Sequence, residues 1–393
     1  MLAAVLGGVA IGMNVGKVPL ALPAMRLEFG LSLVEAGLVS SMLGTLAVVT
    51  ALGFGLLAGR VGAWRLAMAG LLLGALASAW GIWASGFATL ISSRLLEGAG
   101  FLAVAVAGPG LVSAATAPAD RRFALGAWAT YMPAGAGLGL ALSPLLMGLG
   151  GWRALWAAAS VLLLLAAAAA WHQRAYFSHG PAASGSTHAM VPDKALALLR
   201  QPLPWLLSFA FAAWALQHFA LIIWLPTFLT EQRGLSPGPV AALSALMLLA
   251  NVPGNLIGGA LVQRGYSRGH LIAFAHTVTG LFGLGLALDA WPDSLRYGLC
   301  VALSFVGGLI PAAVMSSSTV LTRNPAQIGL LQGLIMQGSQ LGQFVGTPLI
   351  AWVVTSSGQW SSARWVTTAA AVLGLALGLA AHRAEKRLPP APA

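Results

Sequence analysis

Residues 154–171 read ALWAAASVLLLLAAAAAW, eighteen positions without a charge. As a helix this run is about 27 Å long, close to the roughly 30 Å of hydrocarbon in a bilayer. A helix on the surface of a soluble domain keeps one polar face, and this run has none. Arg153 precedes it and His172 and Arg174 follow it, as expected of a span bounded by water. Working outward, breaks at charges and at Gly, Pro and Ser clusters mark eleven similar runs. The full set is 2–24, 33–57, 66–85, 88–113, 123–147, 154–171, 203–229, 239–262, 271–289, 295–319, 328–354 and 363–381. The alternating ten-residue segments of a membrane barrel are missing, so the spans are expected to be helices.

Composition agrees. Of 393 residues, 20 are Lys or Arg and 9 are Asp or Glu, or 7% charged, with 58% hydrophobic residues and a mean hydropathy of +0.85. A soluble domain carries roughly 25% charge, so a cytosolic enzyme, a disordered chain and a disulfide scaffold are excluded. The net charge of +11 does not indicate nucleic acid, because the basic residues sit in short clusters between apolar runs. Cys300, the single cysteine, lies inside an apolar run. The N-terminal run begins near Met1 and has the length of a span with no clear cleavage site, so it reads as a span and not a signal peptide. Several tryptophans (Trp80, Trp83, Trp152, Trp291, Trp360) fall at span ends, like an interfacial belt.

With the N-terminus inside, thirteen Lys and Arg fall on inner segments, Lys194 and Arg323 among them, and five on outer ones. This bias predicts that both termini are cytoplasmic. Acids lean outward: Glu28, Glu231, Asp289 and Asp293. The one long polar connection predicts an N-terminal six-helix bundle (1–171), a central cytoplasmic loop (172–202), a C-terminal six-helix bundle (203–382) and a cytoplasmic tail (383–393). Lys194–Arg200 reads either as a short interfacial helix or as plain linker. The halves repeat at an offset of about 204: Gly30-Leu31-Ser32 with Gly234-Leu235-Ser236, Leu22-Pro23 with Leu225-Pro226, Arg60 with Arg264, and Ser143-Pro144 with Thr347-Pro348. Six spans per half make this a parallel repeat, with a solute site expected between the halves near the midplane.

Three motifs then carry a resemblance that covers nearly the whole chain. They are Gly55-Leu56-Leu57-Ala58-Gly59-Arg60-Val61-Gly62-Ala63-Trp64-Arg65 after the second span, Arg94-Leu95-Leu96-Glu97-Gly98 in the fourth, and Gly135-Ala136-Gly137-Leu138-Gly139 with Ser143-Pro144 and Gly148 in the fifth. With the six-plus-six layout, the chain resembles the major facilitator superfamily of 12-span transporters. The first resembles the family's loop 2–3 signature, which implies a gate built on Gly55, Gly59, Arg60, Gly62 and Arg65, with Arg264 at the repeat-related place. Gly59 stands where the family usually has the Asp that helps latch the inner gate. The second is similar to the family's Arg-x-x-Gln-Gly element, with Glu97 for Gln. The third is similar to a Gly/Pro-rich antiporter motif, with Ser-Pro for Gly-Pro. The resemblance implies an all-helical membrane fold and secondary transport in a bacterial inner membrane.

Charges inside spans are costly and mark function. Lys17 lies about 10 Å below the outer surface, and Arg94 and Glu97 about 9 and 13 Å below it, on one helix face. Two cations against one carboxylate leave +1, which predicts a small anionic or polar organic solute, with Glu97 taking up a proton. The alternatives are a snorkelling Lys17 and a structural Arg94–Glu97 pair. The repeat sets His218 against Asn14, so Asn14, Gln217 and His218 are candidate solute contacts or, for His218, a proton relay or a satisfied core histidine. His276 lies near a span end. Asn251 and Asn255, and the stripe Gln332, Gln337, Gln340 and Gln343, either bind solute or join helices. Tyr131 and Trp214 either flank a solute or pack.

Catalytic, metal, CxxC and nucleotide motifs are absent from the sequence, so neither enzyme activity nor a cofactor or metal is expected, and a gradient must supply the energy. The expected partners are a solute, protons and lipid, in a monomer. A proton-antiport exporter of drugs or metabolites is the runner-up. A membrane sensor or a passive channel fits less well, because the longest loop is too short for a sensor domain and the repeat points to alternating access.

Overall fold

A computed structural model describes residues 2–175, 196–286, 288, 290–322 and 325–387. Lys194, Asp289, Arg323, most of the central loop and the end of the tail lie outside the described residues.

The described residues are helical throughout their spans. Among the described residues nine helices are long and apolar enough to cross a bilayer, and the bent pair Leu2–Gly16 and Val18–Phe29 forms a tenth crossing. One of the nine, residues 118–172, breaks at Gly150 and Gly151, where Gly151 has φ 63°, and so becomes two. The 33-residue helix Pro325–Ser357, whose glutamines lower its hydropathy, completes twelve. The spans form two six-helix halves.

The repeat is written in the backbone. Among the described residues, six glycines have positive φ, and they fall into three pairs: Gly30 and Gly234 (both 63°), Gly62 and Gly265 (89° and 91°), Gly151 and Gly358 (63° and 69°). Each pair closes the corresponding helix in its half, where an L-residue with a side chain would be strained.

Packing inside each half uses small residues. A side chain at Gly16 would collide with the backbone of Ala136, and one at Gly342 with that of Ala212, so the first span lies on the fifth and the seventh on the eleventh. Without a hydrophobic drive between helices in lipid, such close approach supplies the dispersion contacts that hold a bundle.

The halves meet chiefly through two helix pairs, the second with the eleventh and the fifth with the eighth. A Cβ on Gly55 would stand 2.5 Å from the carbonyl oxygen of Gly329, and Gly126 abuts Gly259. The side chain of Gln263 locks the second contact. Its Oε1 accepts from the Phe123 N–H at 3.2 Å and its Nε2 donates to the carbonyl of Ala119. The Gly55–Gly329, Gly126–Gly259 and Gln263 contacts lie towards the face that carries both termini, and that face is closed here.

The spans differ from their expected bounds mainly at the first. Its helix continues to Phe29 but breaks at Lys17 with a 41° bend. Pro19 explains this, because it has no N–H to donate to the carbonyl one turn back. Of the stretch ending at Arg200, Ala197–Arg200 forms a short 3-10 helix with Leu198 buried.

Candidate functional site

The break in the first span puts the Lys17 side chain inside the N-terminal half. Its Nζ donates to Glu97 Oε1 at 2.6 Å and to Ser78 Oγ at 3.1 Å, and lies 4.2 Å from the centre of the Trp156 ring. Arg94, one turn before Glu97 on the fourth span, pairs with Glu97 Oε2. Its other donors reach the carbonyls of Val39 (3.2 Å) and Asn14 (3.1 Å). The Ser78 hydroxyl is 2.6 Å from Glu97 Oε1 and 3.3 Å from Asn14 Oδ1; with one proton to donate, the shorter contact to the carboxylate prevails. Lys17, Arg94 and Glu97 are 2%, 1% and 0% exposed. The geometry therefore does not have Lys17 snorkelling. All three charges form one buried triad with a formal excess of +1, tied to the first four spans.

The sequence expectation grouped Asn14 with His218 and Gln217. The structure divides them. Asn14 belongs to the triad, with Nδ2 buried and unpartnered. His218 stacks on Trp214 (ring centres 4.6 Å apart, planes at 17°), and its Nε2 lies 2.9 Å from Ser304 Oγ. Asn251 Nδ2 donates to the Ser304 carbonyl at 2.6 Å, and Asn255 Nδ2 donates to Asn251 Oδ1 at 2.6 Å. Trp214, His218, Asn251, Asn255 and Ser304 thus make a second buried polar cluster, in the C-terminal half. Gln217 points elsewhere, its Nε2 donating to the carbonyl of Thr367 at 2.6 Å.

The remaining candidates separate by role. Gln337 Nε2 donates to the carbonyl of Val48 at 2.8 Å and so ties the eleventh span to the second. Gln340 Oε1 faces Gly44 of the same pair without a hydrogen bond. Tyr131 is buried against Trp128, ring centres 4.7 Å apart. His276 Nε2 reaches the carbonyl of Ala210 at 3.2 Å. In the loop signature, Gly62 caps the second span, while Arg60, Arg65 and Arg264 are exposed and Gly59 half-exposed. Also at this face, Arg268 pairs with the half-buried Glu385 at 2.6 Å.

Ser78, Trp156, Ser304, Gln263, Arg268 and Glu385 were not among the sequence candidates. Ser78 and Ser304 have no signal of their own, since a serine in a span usually bonds its own helix. In the sequence Arg268 is one of the thirteen inner basic residues, with nothing to mark its partner.

The Major Facilitator Superfamily profile matches residues 4–335, and the chain belongs to that family of transporters. Two curated relatives match over parts of their length. The probable galactarate/D-glucarate transporter GudP of Pseudomonas putida is 25% identical over 162 residues, 39% of this chain and 35% of the relative. The probable sulfoacetate transporter SauU of Cupriavidus necator is 32% identical over 84 residues, 21% of this chain and 20% of the relative. The chain thus matches about a third and a fifth of the length of these two relatives. Among solved structures, the transporter FucP in its outward conformation superposes with a TM-score of 0.73 at 15% identity, covering 97% of this chain and 98% of that one. A variant of the Escherichia coli fucose:proton symporter FucP gives 0.72 at 15% identity, covering 97% of each chain. The protein is a multi-pass membrane transporter and not an enzyme.

Proposed function

We propose that the protein is a secondary active transporter that moves a small organic anion together with protons by alternating access between its halves. The observation that carries this reading is the buried triad Lys17–Glu97–Arg94 with its +1 excess. An anion arriving between the halves feels that excess through a poorly polarisable interior. Protonation of Glu97 removes the compensating charge and raises the excess to +2. At an effective dielectric of about 20, one added charge about 8 Å from the solute is worth about 2 kcal/mol. That is about thirtyfold in affinity, and by linkage the bound anion favours the proton equally. Symport of an anion with a proton follows from this coupling. Both matched relatives are named as transporters of organic anions, which supports the solute class. His218, Asn251 and Asn255 supply polar contacts from the opposite half; Gln337, Gln340 and the Gly55–Arg65 loop with Arg264 belong to the helix contacts and loops that move.

The setting proposed is a bacterial inner membrane, as a monomer with bundles 1–171 and 203–382 and both termini cytoplasmic, the orientation that the Lys and Arg bias favours.

The test is uptake into proteoliposomes, with D-glucarate and sulfoacetate as first solutes. Accumulation is expected under an inwardly directed proton gradient. Glu97→Gln is expected to keep solute exchange and lose gradient-driven accumulation. A protein stabilised only by lipophilic cations in a thermal-shift screen, or a Lys17→Ala variant that transports normally, would overturn the anion reading.

A further inference from the structure

The two halves fill one corresponding space in different ways. In the N-terminal half, the space among the first, third, fourth and sixth spans holds the ion triad under Trp156. Positions at the repeat-related places carry Leu221 for Lys17 and, by the pairing of Gly151 with Gly358, Ala363 for Trp156, and there the space is open. It is a cavity of about 190 Å³, lined from the seventh, ninth, tenth, eleventh and twelfth spans and the loop before the twelfth. The described lining residues all come from the C-terminal half.

Its walls have two characters. Leu221, Trp224, Leu225, Cys300 and Leu303 make an apolar body. At the outer end stand Arg233, Arg296 and Arg364 with Asp293, which accepts from Arg233 Nη2 at 2.7 Å and lies 3.7 Å from Arg296 Nη1. Two donors at this wall are buried without a hydrogen-bond partner, Arg364 Nε and Trp224 Nε1. A buried donor left unpaired is costly, and an acceptor brought by a ligand would satisfy it. For scale, an apolar cavity of about 150 Å³ holds a benzene ring.

We propose that this cavity is a second binding site, which takes a small amphipathic carboxylic acid. Its body is about one aromatic ring or a short alkyl chain, seated between Leu221, Trp224 and Cys300. Its carboxylate lies at the arginine end, where a guanidinium donates in its preferred planar geometry. An occupant here bridges the seventh, tenth and twelfth spans and so stabilises the C-terminal half as a unit.

The test is equilibrium binding of radiolabelled benzoate to the purified full-length protein in detergent. Saturable binding is expected, with benzyl alcohol, the uncharged analogue, a poor competitor. Arg364→Gln is expected to weaken benzoate by about tenfold or more, the usual loss of a charge-assisted hydrogen bond. Cys300→Phe fills the cavity and is expected to abolish binding; Ala220→Leu serves the same purpose if that variant does not fold. Excess D-glucarate, a first solute for the transport site, is expected to leave benzoate binding unchanged. Hexanoate should compete better than palmitate, which marks a dissolved acid. No saturable binding, binding that survives both Arg364→Gln and the filling variant, binding displaced by D-glucarate, or a preference for palmitate would each overturn the assignment.

Discussion

Lys17 sits at the break of its own span, with its ammonium donating to Glu97 and Ser78 inside the bundle. That placement sets an order of costs for the triad. Glu97→Gln leaves Lys17 and Arg94 facing each other without a counter-charge, and breaking a buried pair in this way costs about 3–5 kcal/mol. Lys17→Met leaves Glu97 with Arg94 and should cost less. Ser78→Ala removes one hydrogen bond to the carboxylate, about 1–3 kcal/mol, and should cost least. Unfolding of the three variants in detergent is expected to rank them in that order; equal stability of Glu97→Gln and wild type would mean that the triad is not charged as drawn. The three ionisable members are legible in the sequence, because a charge among apolar residues is conspicuous in a chain with so few. Ser78 is not, because its role depends on which helix packs against it.

Among the elements, the second and eleventh spans govern closure. Gly55 and Gly329 meet backbone to backbone, with Ala51 against Gly333 one turn further on. A Gly55→Val side chain cannot be accommodated there without parting the helices, so the variant is expected to favour the form open at the terminal face. The check uses Leu330→Cys in a Cys300→Ser background: Leu330 is buried beside Gly55, and the introduced thiol should be labelled several-fold faster with Val at position 55. Unchanged labelling would show that this contact does not hold the face closed. The sequence marks Gly55 through its resemblance to the loop signature. It does not mark Gly329, Gly126 or Gly259 as their partners, since a glycine in a span has the same appearance whether it meets another half, its own half or lipid.

Across the whole molecule, the repeat and the charge bias make a joint prediction about orientation. If the face closed by Gln263 and by the Gly55–Gly329 contact is cytoplasmic, a green fluorescent protein fused after Arg387 will fluoresce in bacterial cells and alkaline phosphatase fused there will be inactive. The reverse pair of results would invert the topology and with it the direction assigned to closure. The repeat itself is legible as four short matches in the sequence, and the paired φ values at Gly30/Gly234, Gly62/Gly265 and Gly151/Gly358 give it a physical cause. The same left-handed residue is needed wherever the same helix ends in each half.

By itself the sequence determined that this protein lives in lipid, that it crosses the bilayer twelve times as helices, and that it is a doubled six-span unit of its family. These follow from hydropathy and from local backbone demands, which each segment expresses alone, because the bilayer acts as a solvent on every span separately. Only the tertiary structure decided that Lys17 turns inward to Glu97 across 80 positions of chain, that Asn14 and His218 serve separate clusters, and that the C-terminal half keeps open a space its twin fills. The physical reason is that a polar group buried in a membrane bundle must find its partner on whichever helix lies beside it, and helix neighbours are chosen by the packing of the whole set.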